Sequence, residues 1–257
     1  MSWSKEALVD RQVKEWLAKK EASRNQVKVK PFHRAITVTG DFGALSYKLA
    51  EVLSQQLRYR LYDREIIEMI AQRAQVDSYL VEQVETEKQS YLQEIFESLL
   101  GNRTINDSGY LRRLTEVIGA IGHDGSAVVV GRGANIILGA ERALRIRCVA
   151  PMTLRVQRNS RRLCLTIKEA EAETKKEDAR RTQWVQDLLG VDPTDANNYD
   201  LVLSTGQFSI DQAASIVLRS HRAIGGDRRG MPVKMLKSKA EQPEEREAPA
   251  LWLNRRS

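Results

Sequence analysis

The chain has 257 residues, 42% of them hydrophobic, and a formal net charge of +7. That length suits one large domain or two small ones, and that apolar share is enough to bury a core. No apolar run is long enough to cross a bilayer and the start, MSWSKEALVDRQ, has no signal-peptide h-region, so the expected setting is cytoplasmic, without a membrane partner.

The first segment, KEALVDRQVKEWLAKK, places Val9, Val13, Trp16 and Leu17 on one helical face. It reads as an amphipathic helix that docks on the domain or on a protein partner, followed by a polar linker near Ala22–Lys30. A strand rich in β-formers is predicted at Ala35–Val38. A helix starting near Ala44 follows, with Leu45, Leu49, Val52 and Leu53 in one apolar stripe and Leu45 turned to the core. From Asp63 to Gly122 the pattern stays helical, apart from a polar loop at Asn102–Gly109. The run Ala127–Val130 is apolar throughout, as in a strand covered on both faces, and a glycine turn follows it. LRIRCVAP is another strand, ended by Pro151. A charged helix is predicted from about Thr166 to Leu189, a short strand in YDLVLSTG, and a last helix with Ile210, Ala213, Ala214, Val217 and Leu218 on one face.

Short apolar strands alternating with helices imply an α/β layered domain built on parallel strands. The expected organisation is an N-terminal helix and linker at 1–30, a domain at 31–222 and a disordered, charged tail at 223–257. Cys148 and Cys164 are far from any metal-ligand spacing and sit among apolar neighbours, which predicts two buried thiols. The three histidines are scattered, and no residue is assigned as a metal ligand.

The positive charge is concentrated in arginines between Arg142 and Arg162 and in the tail. No zinc-finger spacing or RNA-binding aromatic signature accompanies it. A nucleic-acid partner is therefore disfavoured against a small polyphosphate ligand, whose oxygens a guanidinium fork grips in pairs.

Four stretches carry the candidate chemistry. TVTGDFGALSYK joins a strand to a helix, where unpaired N–H groups and the helix dipole favour an anion. Gly40 and Gly43 permit the turn, yet the G-x-x-x-x-G-K-[ST] pattern is absent: Leu45 and Ser46 replace its glycine and lysine, and Lys48 comes two positions late. An ordinary strand-to-helix connection explains the spacing equally well. VVVGRGANIIL sets Arg132 between Gly131 and Gly133 at a strand's carboxyl end, where small neighbours let a phosphate approach. LRVQRNSRRL carries Arg155, Arg158, Arg161 and Arg162, a cluster that needs anions or carboxylates to neutralise it. The alternative is a solvated face paired with Glu169, Glu171 and Glu173. Asp178 and Arg181 stand at i and i+3, as a salt bridge or an arginine-positioning pair.

Together, ITVTGDFG, RLYDREIIEMIA, VVVGRGANIIL, VAPMTLRVQR, the Asp178–Arg181 pair and VDPTDANNYDLVLSTG, in that order over Ala35 to Ser220, resemble the cytidylate kinase-like family of P-loop nucleotide kinases. The resemblance implies a three-layer α/β P-loop fold with a parallel sheet, a helical insertion and a helical lid. It implies phosphoryl transfer from ATP, with Mg²⁺, to a nucleoside monophosphate such as CMP. Gly40, Asp41, Gly43, Ala44, Ser46 and Lys48 would then face the donor nucleotide, Tyr62 and Asp63 would begin the monophosphate segment, and Arg132 would hold the acceptor phosphate. Arg155, Arg158, Arg161, Arg162 and Arg181 would close over the transferring group, supported by Asp178. Such chemistry is mostly positioning and charge neutralisation, which arginines supply.

The turn departs from the family's glycine-rich core through Ala44 and Leu45. Each Cβ that blocks close approach forfeits a charged hydrogen bond of about 1.5–3 kcal/mol. Two such losses weaken ATP binding by roughly two to four powers of ten. Two readings follow: a working monophosphate kinase, or a catalytically impaired nucleotide sensor or interaction protein on the same fold.

Overall fold

The computed structural model describes residues 34–69 and 108–224, together with Lys14. The expected N-terminal helix, most of the helical insertion and the charged tail lie outside these residues. Five strands, β1 (Ala35–Gly40), β2 (Arg60–Tyr62), β3 (Ala127–Val130), β4 (Ala143–Val149) and β5 (Leu201–Ser204), form one sheet in the order β2-β3-β1-β4-β5. Every pairing is parallel, with Ile36 opposite Val128 on one side of β1 and Leu144 on the other. The chain belongs to the α/β class, with β1 at the centre of the sheet.

Strand periodicity divides the core between two faces. On one side Ala35, Ala127, Val129 and Ala143 pack against α2 (Ser108–Asp124) and α3 (Ala134–Arg142), through Leu114, Ile118, Ile121 and Ile137. On the other, Ile36, Val38, Val128, Leu144 and Ile146 meet α1 (Ser46–Leu57) and the C-terminal α6 (Ile210–Ile224), through Leu49, Leu53, Ala213, Ala214 and Val217. The helices on these two faces are the outer layers of three, with the sheet between them. Between β4 and β5 an antiparallel pair, α4 (Met152–Leu163) and α5 (Ile167–Leu189), leaves the sheet at its carboxyl edge. The start of α5 is fixed by a capping box in which Thr166 and Glu169 satisfy each other's backbone.

Some local expectations need correction. Helix α1 begins at Ser46, because Leu45 adopts a left-handed conformation (φ 58°) and stands at its N-cap. Leu45 is consequently only half-buried, and Ala44 enters the core in its place. Helix α2 begins at Ser108, so Ser108 and Gly109 are helical where the polar loop was expected to include them. Of the two thiols only Cys148 is buried. Cys164 is exposed, in a left-handed residue (φ 55°) that caps α4. A short apolar neighbourhood in sequence fixes burial poorly where the chain turns away from the sheet.

The sheet's tight point is Gly40. A Cβ there would lie 2.5 Å from the carbonyl oxygen of Cys148 on β4, and a backbone atom in a paired strand cannot step aside. Gly40→Ala is expected to destabilise the fold by about 1–3 kcal/mol in urea unfolding, as overpacked core substitutions do. Burial pushes the Cys148 thiol up to about 12. Ellman's reagent should therefore label Cys164 alone in the native protein and reach Cys148 only after denaturation.

Candidate functional site

Parallel sheets bind ligands beyond the carboxyl ends of their strands. Here the turns after β1 and β3, the end of β4, α5 and the 193–199 segment enclose a cavity of about 470 Å³. Six arginines line it (Arg64, Arg132, Arg147, Arg155, Arg180 and Arg181) against two carboxylates, Asp41 and Asp178. Such an excess of guanidinium groups makes the cavity a trap for anions.

The turn after β3 is built for close approach. Gly131, Arg132 and Gly133 all have positive φ, at 73°, 53° and 65°, and α3 starts immediately afterwards. For arginine this backbone is costly, by roughly 1–2 kcal/mol. The left-handed backbone at 133 favours glycine, and a side chain there would also have to push aside Leu189 Cδ1, 2.2 Å away. The Arg132 side chain, 7% exposed, pairs with Glu68 and lies over the Trp184 ring at 4.7 Å. Its Nε is buried with no hydrogen-bond partner. Burial pulls its pKa down to about 10, with Arg64 and Arg180 adding repulsion, and the group stays charged at neutral pH.

The turn after β1 is the opposite case, because protein groups already fill it. Phe42 N–H donates to Asp178 Oδ1 at 2.8 Å, and Phe42 C=O accepts from Arg155 Nη1 at 3.2 Å and Asn159 Nδ2 at 3.3 Å. Arg158 donates to Gly43 C=O, Thr205 Oγ1 to Ala44 C=O, and Arg181 to Gly40 C=O. Arg162 and Arg181 stack on the Phe42 ring at 4.8 and 5.0 Å. Arg155 and Arg158 are thus satisfied by turn carbonyls, and Arg155 also by Asp178, which takes its Nη1 at 2.5 Å. The glutamates of α5 are engaged elsewhere: Glu169 caps Thr166, while Glu171 and Glu173 pair with Lys175 and Lys176.

The residues expected from sequence separate accordingly. Gly40, Asp41, Ser46, Arg132, Arg155, Asp178 and Arg181 line the cavity. Arg158 and Arg162 instead hold the turn from behind, and Arg161 is exposed on α4. Gly43 is packed against Asn159 and Arg155, and Ala44 is fully buried. Lys48, 63% exposed, pairs with Glu51 on the outer face of α1. Tyr62 belongs to the core, and Asp63 caps the helical turn at 64–69 by accepting from Ile66 N–H; neither lines the cavity. Asp178 pairs with Arg155, whereas Arg181 meets Glu177 at 3.6 Å.

Arg147 and Arg64 line the cavity, and Glu68 and Phe42 bond to residues that do, although none of the four was expected from the sequence. Arg147 ties Asp41 (2.8 Å) to Pro193 C=O and lies over the Tyr199 ring. Its signal was present: Arg145 and Arg147 alternate in an otherwise apolar strand, where a charge needs a purpose. Glu68 and Arg64 stand at i and i+4 on one helical turn and reach each other at 3.7 Å. Phe42 had no such signal, since one aromatic in a turn says nothing about what stacks on it.

The profile of the cytidylate kinase-like family matches residues 35–207, which include all of these turns and both lid helices. The chain belongs to the cytidylate kinase-like family. A cytidylate kinase from Methanopyrus kandleri is 29% identical over 103 residues, covering 37% of this chain and 53% of that protein. A uronate isomerase from Corynebacterium glutamicum is 26% identical over 121 residues, covering 47% of this chain and 23% of that protein. The chain thus spans about half the length, or less, of these curated relatives. An uncharacterized protein from Eubacterium ventriosum shares the fold at a TM-score of 0.59 and 19% identity, over 76% of this chain and 99% of its own. Among the described residues no helix is long and apolar enough to cross a membrane, and no cluster of metal-ligating side chains occurs.

In this cytidylate kinase-like protein the charge on Asp41 is a burden. Burial raises its pKa above the usual 3.8, against the pull of Arg147 and Arg155, and Asp178 raises it further. A raised carboxylate pKa gives stability that is complete below the unfolded value and is lost as pH climbs through the folded one. Asp41→Asn does not titrate. Its melting temperature relative to wild type should therefore rise as pH climbs from the ordinary aspartate value of 3.8. A difference that stays flat or falls as pH climbs from there contradicts the assignment.

Proposed function

We propose that this kinase-like protein binds a nucleoside monophosphate, with CMP the first candidate, and holds its phosphate at Arg132. The observation that supports this reading is the buried, unpartnered Nε of Arg132 in a cavity with an excess of guanidinium groups. A phosphate oxygen there would satisfy a donor that is otherwise costly to bury. The size of the cavity is that of an ordinary small-ligand cleft.

The donor half supports impairment rather than turnover. The ATP and Mg²⁺ that the family implies do not fit the turn after β1. Its Phe42 N–H is occupied, its lysine is missing, and Lys48 faces solvent. Of the chain's own groups there, Ser46 alone combines a hydroxyl with a position on the cavity wall. The reading is a nucleotide-binding protein on a kinase fold, one that responds to a monophosphate without transferring phosphoryl groups at the rate of a working kinase.

Titration calorimetry with CMP and with ATP separates the two halves. CMP is expected to bind and ATP to give no measurable heat. Arg132→Ala should weaken CMP binding by at least about tenfold, the loss of one charge-assisted hydrogen bond. Formation of ADP from ATP and CMP in the presence of magnesium would overturn impairment in favour of a cytidylate kinase. Absence of binding by any nucleoside monophosphate would overturn the reading itself.

A further inference from the structure

We infer that Asp178 is an internal substitute for phosphate: its carboxylate fills the anion position of the Gly40–Ser46 turn and latches the lid against polyphosphate. This deepens the reading above and rests on it only for the ligand of the other half of the cavity.

Both oxygens of Asp178 are placed as a bound phosphate's would be. Oδ1 accepts from a backbone N–H of the turn, Phe42, at 2.8 Å, and Oδ2 accepts from a lid guanidinium, Arg155, at 2.5 Å. A strand-to-helix turn and an arginine are the partners that anions take at such an edge. Here the anion is covalently part of the lid, lying midway along α5.

The same contacts close the lid. Arg155 on α4 bridges Asp178 to Phe42 C=O, and Asn159 repeats the grip while donating to Thr174 Oγ1 on α5 at 2.9 Å. Turn, α4 and α5 are therefore tied to one another by side-chain bonds. A polyphosphate chain entering the turn must displace Asp178 and then meet Asp41, a second carboxylate facing the same cavity. The two acids repel each other, and both repel a phosphate. The acceptor side differs, with a buried donor on Arg132 left unfilled. Glu68 pairs with Arg132 on that side yet leaves its Nε bare, so one anion position of the cavity is filled by the chain and the other only in part. That asymmetry selects a single phosphate over three.

The experiment uses the full chain. ATP and inorganic tripolyphosphate are titrated into wild type and Asp178→Ala, and CMP into wild type. The inference expects polyphosphate affinity to rise at least about tenfold in the variant, from freeing the turn N–H and Arg155 and removing one repulsion. Unchanged or weaker polyphosphate binding in Asp178→Ala overturns the latch and leaves the CMP reading standing. Failure of wild type to bind CMP, with a gain for polyphosphate in the variant, overturns that reading and keeps the latch. If Asp178→Ala does not fold, Asp178→Asn, which keeps the side-chain volume and Arg155 but removes the carboxylate charge, is judged by a gain in the same direction. Hydrogen exchange on wild type needs no variant: a slow Phe42 amide is expected, and one exchanging as fast as an unstructured peptide overturns the latch.

Discussion

The peptide around Phe42 is the joint on which this end of the molecule depends. Its N–H and C=O are both claimed by lid side chains, and its ring lies between two guanidinium groups. A buried peptide must find partners somewhere. In a nucleotide-binding turn the ligand would supply some of them. Here α4 and α5 supply them, so the lid arginines have become struts. Arg155 and Arg158 spend their donors on Phe42, Gly43, Asp178, Ala150 and Thr205.

The two turns at the carboxyl edge therefore differ in kind, although each joins a central strand to a helix. The turn after β3 spends backbone strain on a wide approach, with three consecutive left-handed residues and a guanidinium not fully partnered. The turn after β1 spends its polar groups internally and has alanine and leucine where a bare backbone would wrap an anion. Strain kept beside an unsatisfied donor accompanies function more often than strain that nothing uses. Arg147 ties the turn after β1 to the 193–199 segment, because it holds Asp41 on one side and Pro193 C=O on the other.

Much of the fold was legible because it follows from periodicity. Ala127–Val130 and the C-terminal helix face stand where their apolar patterns place them, and the charged helix is Ile167–Leu189. The candidate site was legible in part. Arg132 between glycines, at the end of a buried strand, was marked by local chemistry and lines the cavity. The α4 arginines were visible as a cluster, but their spacing could not say which donors face the cavity and which face a carbonyl. Leu45 was misplaced for a related reason: helical periodicity assumes that the helix has begun, and its φ of 58° shows that it has not.

The sequence by itself determined the α/β alternation, the parallel strands' apolar runs, the missing lysine and the arginine cluster at 155–162, because these are properties of composition and of periods within single elements. Only the tertiary structure decided that Asp178 meets Phe42 across 136 positions, that Arg147 meets Asp41 across 106, and that Lys48 faces outward. Contacts between elements depend on the packing of helices on a twisted sheet and on where each side chain's rotamer carries its last atoms. A short-range pattern contains neither.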